Sequence, residues 1–195
     1  MGTEDRPGGT GGDGASPFAI SALTDAFRRE RAGMQGQTPT TAKDLTPEEA
    51  HDAAMAHAIG CGAVDPTSVL GSNEVENVTG DRIDDSVIGF ASAFVSVAFA
   101  GERGRYRVGS IHGGERSRSW RPAKKWDRLI RGYVDAVPVE GLGDQAFRTG
   151  GFTVVRSGPV VLFAEVTRDD LGAGEAAALA DELLRLALSN LTASS

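Results

Sequence analysis

The stretch Phe152-Thr-Val-Val-Arg-Ser-Gly-Pro-Val-Val-Leu-Phe-Ala-Glu-Val166 decides the fold. Two β-rich runs, Phe152 to Arg156 and Val160 to Val166, flank Ser157-Gly158, with Pro159 just beyond it. That is the composition of a hairpin turn between strands. Upstream, Pro138-Val-Glu-Gly-Leu-Gly-Asp144 reads as a turn into a short strand, Gln145 to Arg148. Downstream, Glu175 to Leu191 spaces Ala176, Leu179, Ala180, Leu183, Leu186, Ala187 and Leu191 along one side of a helix. Strand, hairpin and closing helix therefore occupy Val139 to Leu191.

Further upstream, Ala93, Val95, Val97 and Phe99 share one face of a strand by the period of two, and Phe94, Ser96 and Ala98 the other. Strand signals begin after Asp85, and Gly101-Glu-Arg-Gly104 makes a hairpin loop that returns through Tyr106, Val108 and Ser110. Lys124 to Val134 reads as a helix, with Trp126, Leu129, Ile130 and Tyr133 at helical spacing. Thr46-Pro-Glu-Glu49 is a capping box with proline at the first helical position, and its helix ends at Gly60 or Gly62. Asp65-Pro66 opens a further short helical turn through Val69 and Leu70. Hairpins predominate and no regular βαβ repeat is present. The expected class is α+β, an antiparallel sheet with flanking helices.

Residues 1–16 are glycine-rich and lack apolar periodicity, so they read as a disordered tail. Residues 17–45 read as an appended helix, with Phe18, Leu23, Ala26 and Phe27 as its stripe, followed by a Gln/Thr/Pro linker. Residues 46–195 are expected to form one α+β domain. The chain carries 40% hydrophobic and only 6% aromatic residues, so aliphatic side chains must fill most of the core.

The net charge of −7 and pI near 5.0 argue against nucleic acid as a partner through general electrostatics. The longest charge-free run, Ser86 to Gly101, is too short and too rich in serine and glycine for a membrane span. Met1 is followed by polar residues and glycine, with no apolar signal region. A start at Met1 implies a cytoplasmic protein. The glycine-rich segment Gly2 to Gly14 also looks like the tether behind the anchoring cysteine of a bacterial lipoprotein, which implies an extracytoplasmic, membrane-anchored one.

One cysteine, Cys61, excludes an intrachain disulfide. His57 and Cys61 stand four apart, on one helical face, but zinc normally takes three or four protein ligands and no further ligand is spaced for it. A Cys61 nucleophile with His57 as base would need a group to orient the imidazole, and none is visible. No G-x-S-x-G occurs, and Gly141-Leu-Gly143 precedes a strand instead of opening a helix, so turn geometry explains it better than phosphate binding. Neither a catalytic set, nor a metal site, nor a cofactor is expected.

The charge distribution is uneven. Between Glu102 and Arg131 ten basic residues face three acids, a net +7, which leaves about −14 for the remainder of the chain. Arg103, Arg105 and Arg107 alternate, as residues on one solvent face of a strand do, and Arg116, Arg118 and Trp120 lie in the glycine- and serine-rich stretch His112 to Pro122, read as a long exposed loop. Arginine forks beside aromatic surface suit phosphate, carboxylate or polyanion recognition. These six residues are the candidate binding set, for an anionic small molecule, polymer or protein. The competing reading of the same charges is a solvated strand face balanced by acids elsewhere.

Cys61-Gly-Ala-Val-Asp-Pro-Thr-Ser-Val-Leu70, Val139-Glu-Gly-Leu-Gly-Asp-Gln-Ala-Phe147, Phe152-Thr-Val-Val-Arg-Ser-Gly-Pro-Val-Val161 and the alanine- and leucine-rich last helix together resemble a family of actinobacterial surface lipoproteins. The resemblance covers about residues 59–191. It implies a PsbP-like sandwich, akin to the sensor domains of some actinobacterial receptor kinases, and no enzyme activity. Such domains often pair the cysteine at the position of Cys61 with a second near the first long strand; Ser86 to Ser92 has none, and the anchoring cysteine is absent as well. The leading expectation is a non-enzymatic, sensor-like binding domain. An assembly protein docking through the helix at 17–31 and an uncharacterised enzyme are the alternatives.

Overall fold

The computed structural model describes residues 46–91, 93–112, 126–133 and 135–193. The readings of the tail, the appended helix and its linker, and most of the basic loop lie outside these residues.

Helix α1 spans Pro47–Gly60, and its capping box forms as read: the Glu49 N–H donates to Thr46 Oγ1 at 3.2 Å while Thr46 N–H donates to the Glu49 carboxylate at 2.8 Å. The Thr46 N–H and the Thr46 hydroxyl, both donating to the Glu49 carboxylate, hold it below its ordinary range. Asp65 caps a 3-10 turn, Pro66–Ser68, and delivers Val69 and Leu70 into the core. A short helix not expected from the sequence, α2 at Ser72–Thr79, follows and ends on Gly80 in the left-handed conformation.

Seven strands follow among the described residues, all antiparallel: β1 (Ile83–Ala91), β2 (Phe94–Gly101), β3 (Gly104–Ile111), β4 (Val137–Val139), β5 (Gln145–Thr149), β6 (Phe152–Ser157) and β7 (Val160–Arg168). Their spatial order is β1-β2-β3-β7-β6-β5-β4. Helix α3 (Trp126–Ile130) lies between β3 and β4 in the chain, and α4 (Ala173–Ala193) closes it. The α+β class with an antiparallel sheet is thus the observed one.

Three expectations are corrected in detail. The strand signals that begin after Asp85 cover two strands, because the chain folds back after Ala91, so the expected strand pair is a three-stranded meander, β1 to β3. The helix expected at Lys124 to Val134 is helical only over Trp126–Ile130 among the described residues, and Arg131-Gly132 turn out of it. His112, read as the start of an exposed loop, is buried at the end of β3.

The strands' alternation produces two packed layers. Val97, Phe99, Tyr106, Val108, Val155, Leu162, Ala164 and Val166 point to one side, against Leu183, Leu184 and Ala187 of α4 and Val75 of α2. Each such leucine, wholly withdrawn from water, stabilises the fold by roughly 1.5–3 kcal/mol. Val95 extends this layer toward α1, where Met55, Ala58, Ile88 and Phe90 join it. The opposite side, through Phe147, Val154, Val161 and Phe163, packs on Trp126 of α3 with Leu129, Ile130 and Tyr133. Among the described residues this second side is covered over β5–β7 and over the Phe94 and Ile111 ends of β2 and β3. Its β1–β3 half, here called the open face, carries Asp85, Val87, Ala98, Ala100, Arg105 and Arg107.

Candidate functional site

The three described arginines of the candidate set have three different environments. Arg103 is in the two-residue connection between β2 and β3, outside the strand alternation. It turns back toward Asp81, which is 2% exposed at the start of the chain's entry into β1. Both Asp81 carboxylate oxygens accept from the Arg103 backbone N–H at 3.1 Å, and the Arg103 guanidinium approaches within 3.6 Å while donating to the Gly80 carbonyl. The Tyr106 hydroxyl, wholly buried, donates to Asp81 at 2.8 Å.

Burial opposes the Asp81 charge, yet the Tyr106 hydroxyl and the Arg103 donors outweigh it and hold the carboxyl below its ordinary value. Burial and the same carboxylate push the Tyr106 phenol up. Arg168, its side chain also buried, donates to the Thr79 carbonyl at 3.2 Å and to Asp170 at 2.8 Å, and Asp170 is held low by that contact. Arg103 therefore belongs to a polar cluster that joins the α2–β1, β2–β3 and β7–α4 connections.

Arg105 and Arg107 do share the open face, as their alternation requires. Arg107 forms an ion pair with Glu165, its register partner on β7, at 3.2 Å. Burial raises the Glu165 carboxyl, with Arg107 pulling the other way. Arg105 lies between Ala100 of β2 and Thr167 of β7, is exposed, and makes no side-chain hydrogen bond or ion pair with the described residues. Arg116, Arg118 and Trp120 lie outside the described residues.

The structure brings His57 and Cys61 together: the Cys61 sulfur lies 3.6 Å from His57 Nε2 at the end of α1. No group of three or more His, Cys, Asp or Glu able to hold a metal occurs among the described residues. A further polar trio, Asp181 of α4 with Arg148 at 2.6 Å and Thr153 at 2.9 Å, ties the closing helix to β5 and β6.

A cleft that sequence reasoning missed opens beside β4, with a volume of about 410 Å³, between Trp126, Ile130, Pro138, Gly141, Asp144 and Phe147. The loop that forms its rim is held rigidly. Leu142 is buried in the main core, the Asp144 N–H donates to the Arg156 carbonyl at 2.8 Å, and the Asp144 carboxylate accepts from the Gly158 N–H at 2.8 Å. Only the turn residues Gly141 and Gly143 marked this loop in the sequence; the cleft itself needs α3 to pack over β5, a contact between segments about twenty residues apart.

Fold and site together define an α+β domain with an antiparallel sheet between helical layers and a partly open sheet face. Comparison with known protein families, with curated proteins and with solved structures finds no match for the chain. No helix among the described residues is long and apolar enough to cross a membrane.

Proposed function

We propose that this protein is a non-enzymatic, sensor-like binding domain that receives an anionic ligand or partner on the open sheet face at Arg105. The observation that carries the reading is the contrast among the three arginines. Arg103 is committed to Asp81 and Arg107 to Glu165, whereas Arg105 presents an exposed fork with no side-chain partner among the described residues. A guanidinium in that position can donate two parallel hydrogen bonds to a carboxylate, phosphate or sulfate. The adjoining Arg107–Glu165 pair supplies a second cation once an incoming anion displaces the Glu165 carboxylate, a step made easier by the burial that already disfavours its charge.

The resemblance of residues 59–191 to actinobacterial surface lipoproteins with PsbP-like domains supports recognition over catalysis. Titration of the full chain with inorganic phosphate and with dextran sulfate tests the reading. Arg105→Glu should weaken binding about fivefold or more, the equivalent of roughly 1 kcal/mol for an exposed charge contact. Glu165→Gln should strengthen it. Binding that is unchanged by Arg105→Glu, and by the same reversal at Arg107 and Arg118, would remove the reading.

A further inference from the structure

We propose that β1 is a dimerisation edge, and that its partner is β1 of a second copy of this chain in antiparallel orientation. Among the described residues the sheet order leaves two edges, β4 and β1. An edge strand exposes a row of unpaired backbone donors and acceptors, and folded proteins normally blunt such rows with shortness, proline, charge or a bulge. β4 is blunted: it is three residues long and contains Pro138, which has no N–H to offer. β1 is nine residues long, about 30 Å at the usual rise per residue.

Its protection is confined to one end. Asp84 and Asp85 carry the charges, and the register irregularity falls between Ile83 and Asp85. From Ser86 to Ala91 there is neither charge, nor proline, nor bulge. Val87, in the middle of the strand, is 61% exposed.

The chemistry of an unpaired strand edge selects an extended strand as its occupant. Side-chain pockets would be needed to select a foreign peptide, and the neighbours of β1 in the sheet offer little to build one. On the open face Val87 and Gly89 adjoin only Ala98 and Ser96. On the other side Ile88 and Phe90 are already engaged by Met55 and Ala58 of α1, with the His51 ring edge-on to Phe90 at 5.1 Å. The cleft described above lies at the opposite edge of the sheet.

The strand's own pattern does fit a second copy. Antiparallel pairing centred on Val87 sets Asp85 opposite Gly89 and Asp84 opposite Phe90, so the acids of the two copies stand at far ends. The two exposed Val87 side chains meet near the twofold axis. Parallel pairing in register would instead stack Asp84 and Asp85 on themselves. The isologous arrangement joins the two seven-stranded sheets into one and leaves both Arg105 faces on it. This inference does not depend on the anionic-ligand reading.

Sedimentation velocity on the full chain, over about 1–500 µM because a twofold contact responds to concentration, should show a species of twice the 20.3 kDa chain mass. The double variant Val87→Lys/Gly89→Lys should remain at the single-chain mass over the same range, because edge lysines block strand addition. A Cβ at position 89 meets only the Ser96 hydroxyl, at 3.7 Å, and Val87 is already exposed, so the variant should keep its fold, which urea unfolding checks. Amides of Ile83–Ala91 in the unaltered chain should gain protection from hydrogen exchange as concentration rises. A monomer at every concentration would overturn the proposal, even with those amides protected, since the edge would then belong to a segment of the same chain. A dimer that the two lysines fail to dissociate would overturn it as well.

Discussion

Replacing Asp81 with alanine takes the acceptor away from three donors at once, and the three losses differ in size. The Tyr106 hydroxyl has no exposure to water, so its lost bond of 2.8 Å leaves a buried unsatisfied donor. Such a group costs about 1–3 kcal/mol. The Arg103 backbone N–H, 3.1 Å from both carboxylate oxygens, belongs to an exposed turn and can find water, which limits its cost to roughly 0.5 kcal/mol. The Arg103 guanidinium is half exposed at 3.6 Å, a geometry worth roughly 0–1 kcal/mol. The expected destabilisation of Asp81→Ala is about 2–4 kcal/mol.

Urea unfolding followed by far-ultraviolet circular dichroism measures that loss directly. For a domain of this size it corresponds to a fall in Tm of roughly 5–15 °C. Tyr106→Phe alone should cost about 1 kcal/mol, and adding it to Asp81→Ala should recover part of the loss because a phenyl ring needs no acceptor. The sign of the pH dependence follows from the lowered carboxyl. Asp81 contributes its stabilisation above the ordinary carboxylate range, and that contribution disappears as the pH falls through its depressed folded-state value. The gap between variant and unaltered protein should therefore narrow in acid. An Asp81→Ala cost under about 0.5 kcal/mol, or strict additivity with Tyr106→Phe, would refute the assignment of this cluster as the joint between the three connections.

Gly143→Ala should destabilise by about 2–3 kcal/mol, since its φ is +57° and a Cβ there would meet Val155 and the Arg156 carbonyl. Gly158→Ala, at φ +55° with open space around it, should cost only about 1 kcal/mol, and thermal melts of the pair separate steric from conformational cost. Glu165→Gln should raise Tm at neutral pH, because burial makes the ionised carboxylate costly in the folded state. A raised folded-state value means the stability attached to protonated Glu165 is present in acid and lost as pH rises, so the advantage of glutamine should vanish near pH 4, about the free carboxylate value. An unaltered protein more stable than the glutamine variant at pH 7 would mean that the Arg107 pair outweighs burial.

What the amino-acid order determined by itself is local. Thr46-Pro-Glu-Glu49 specifies its own helix start, Asp65-Pro66 its own turn, and Ser157-Gly158-Pro159 its own hairpin, because each is a hydrogen bond or backbone preference satisfied within a few residues. The alternation in β2 and β3 and the stripe of α4 were equally legible, since each element turns one side to the core, while β7 was legible as an apolar run because it is buried on both faces. The fold back after Ala91 was not, because small residues surround the turn and no proline, asparagine or paired glycine marks it. Nor was β4, whose three residues become a strand only by pairing with β5.

The candidate site divides along the same line. That Arg105 and Arg107 share a face is a property of the strand, but which arginine is left exposed is not. Asp81 reaches Arg103 across 22 positions, and Glu165 reaches Arg107 across the β3–β7 pairing, which joins strands that are not neighbours in the chain. Charge is additive along a sequence and pairwise in space. The basic run could be counted from the residues alone, while its neutralisation, and the single fork that escapes it among the described residues, is decided by tertiary contacts.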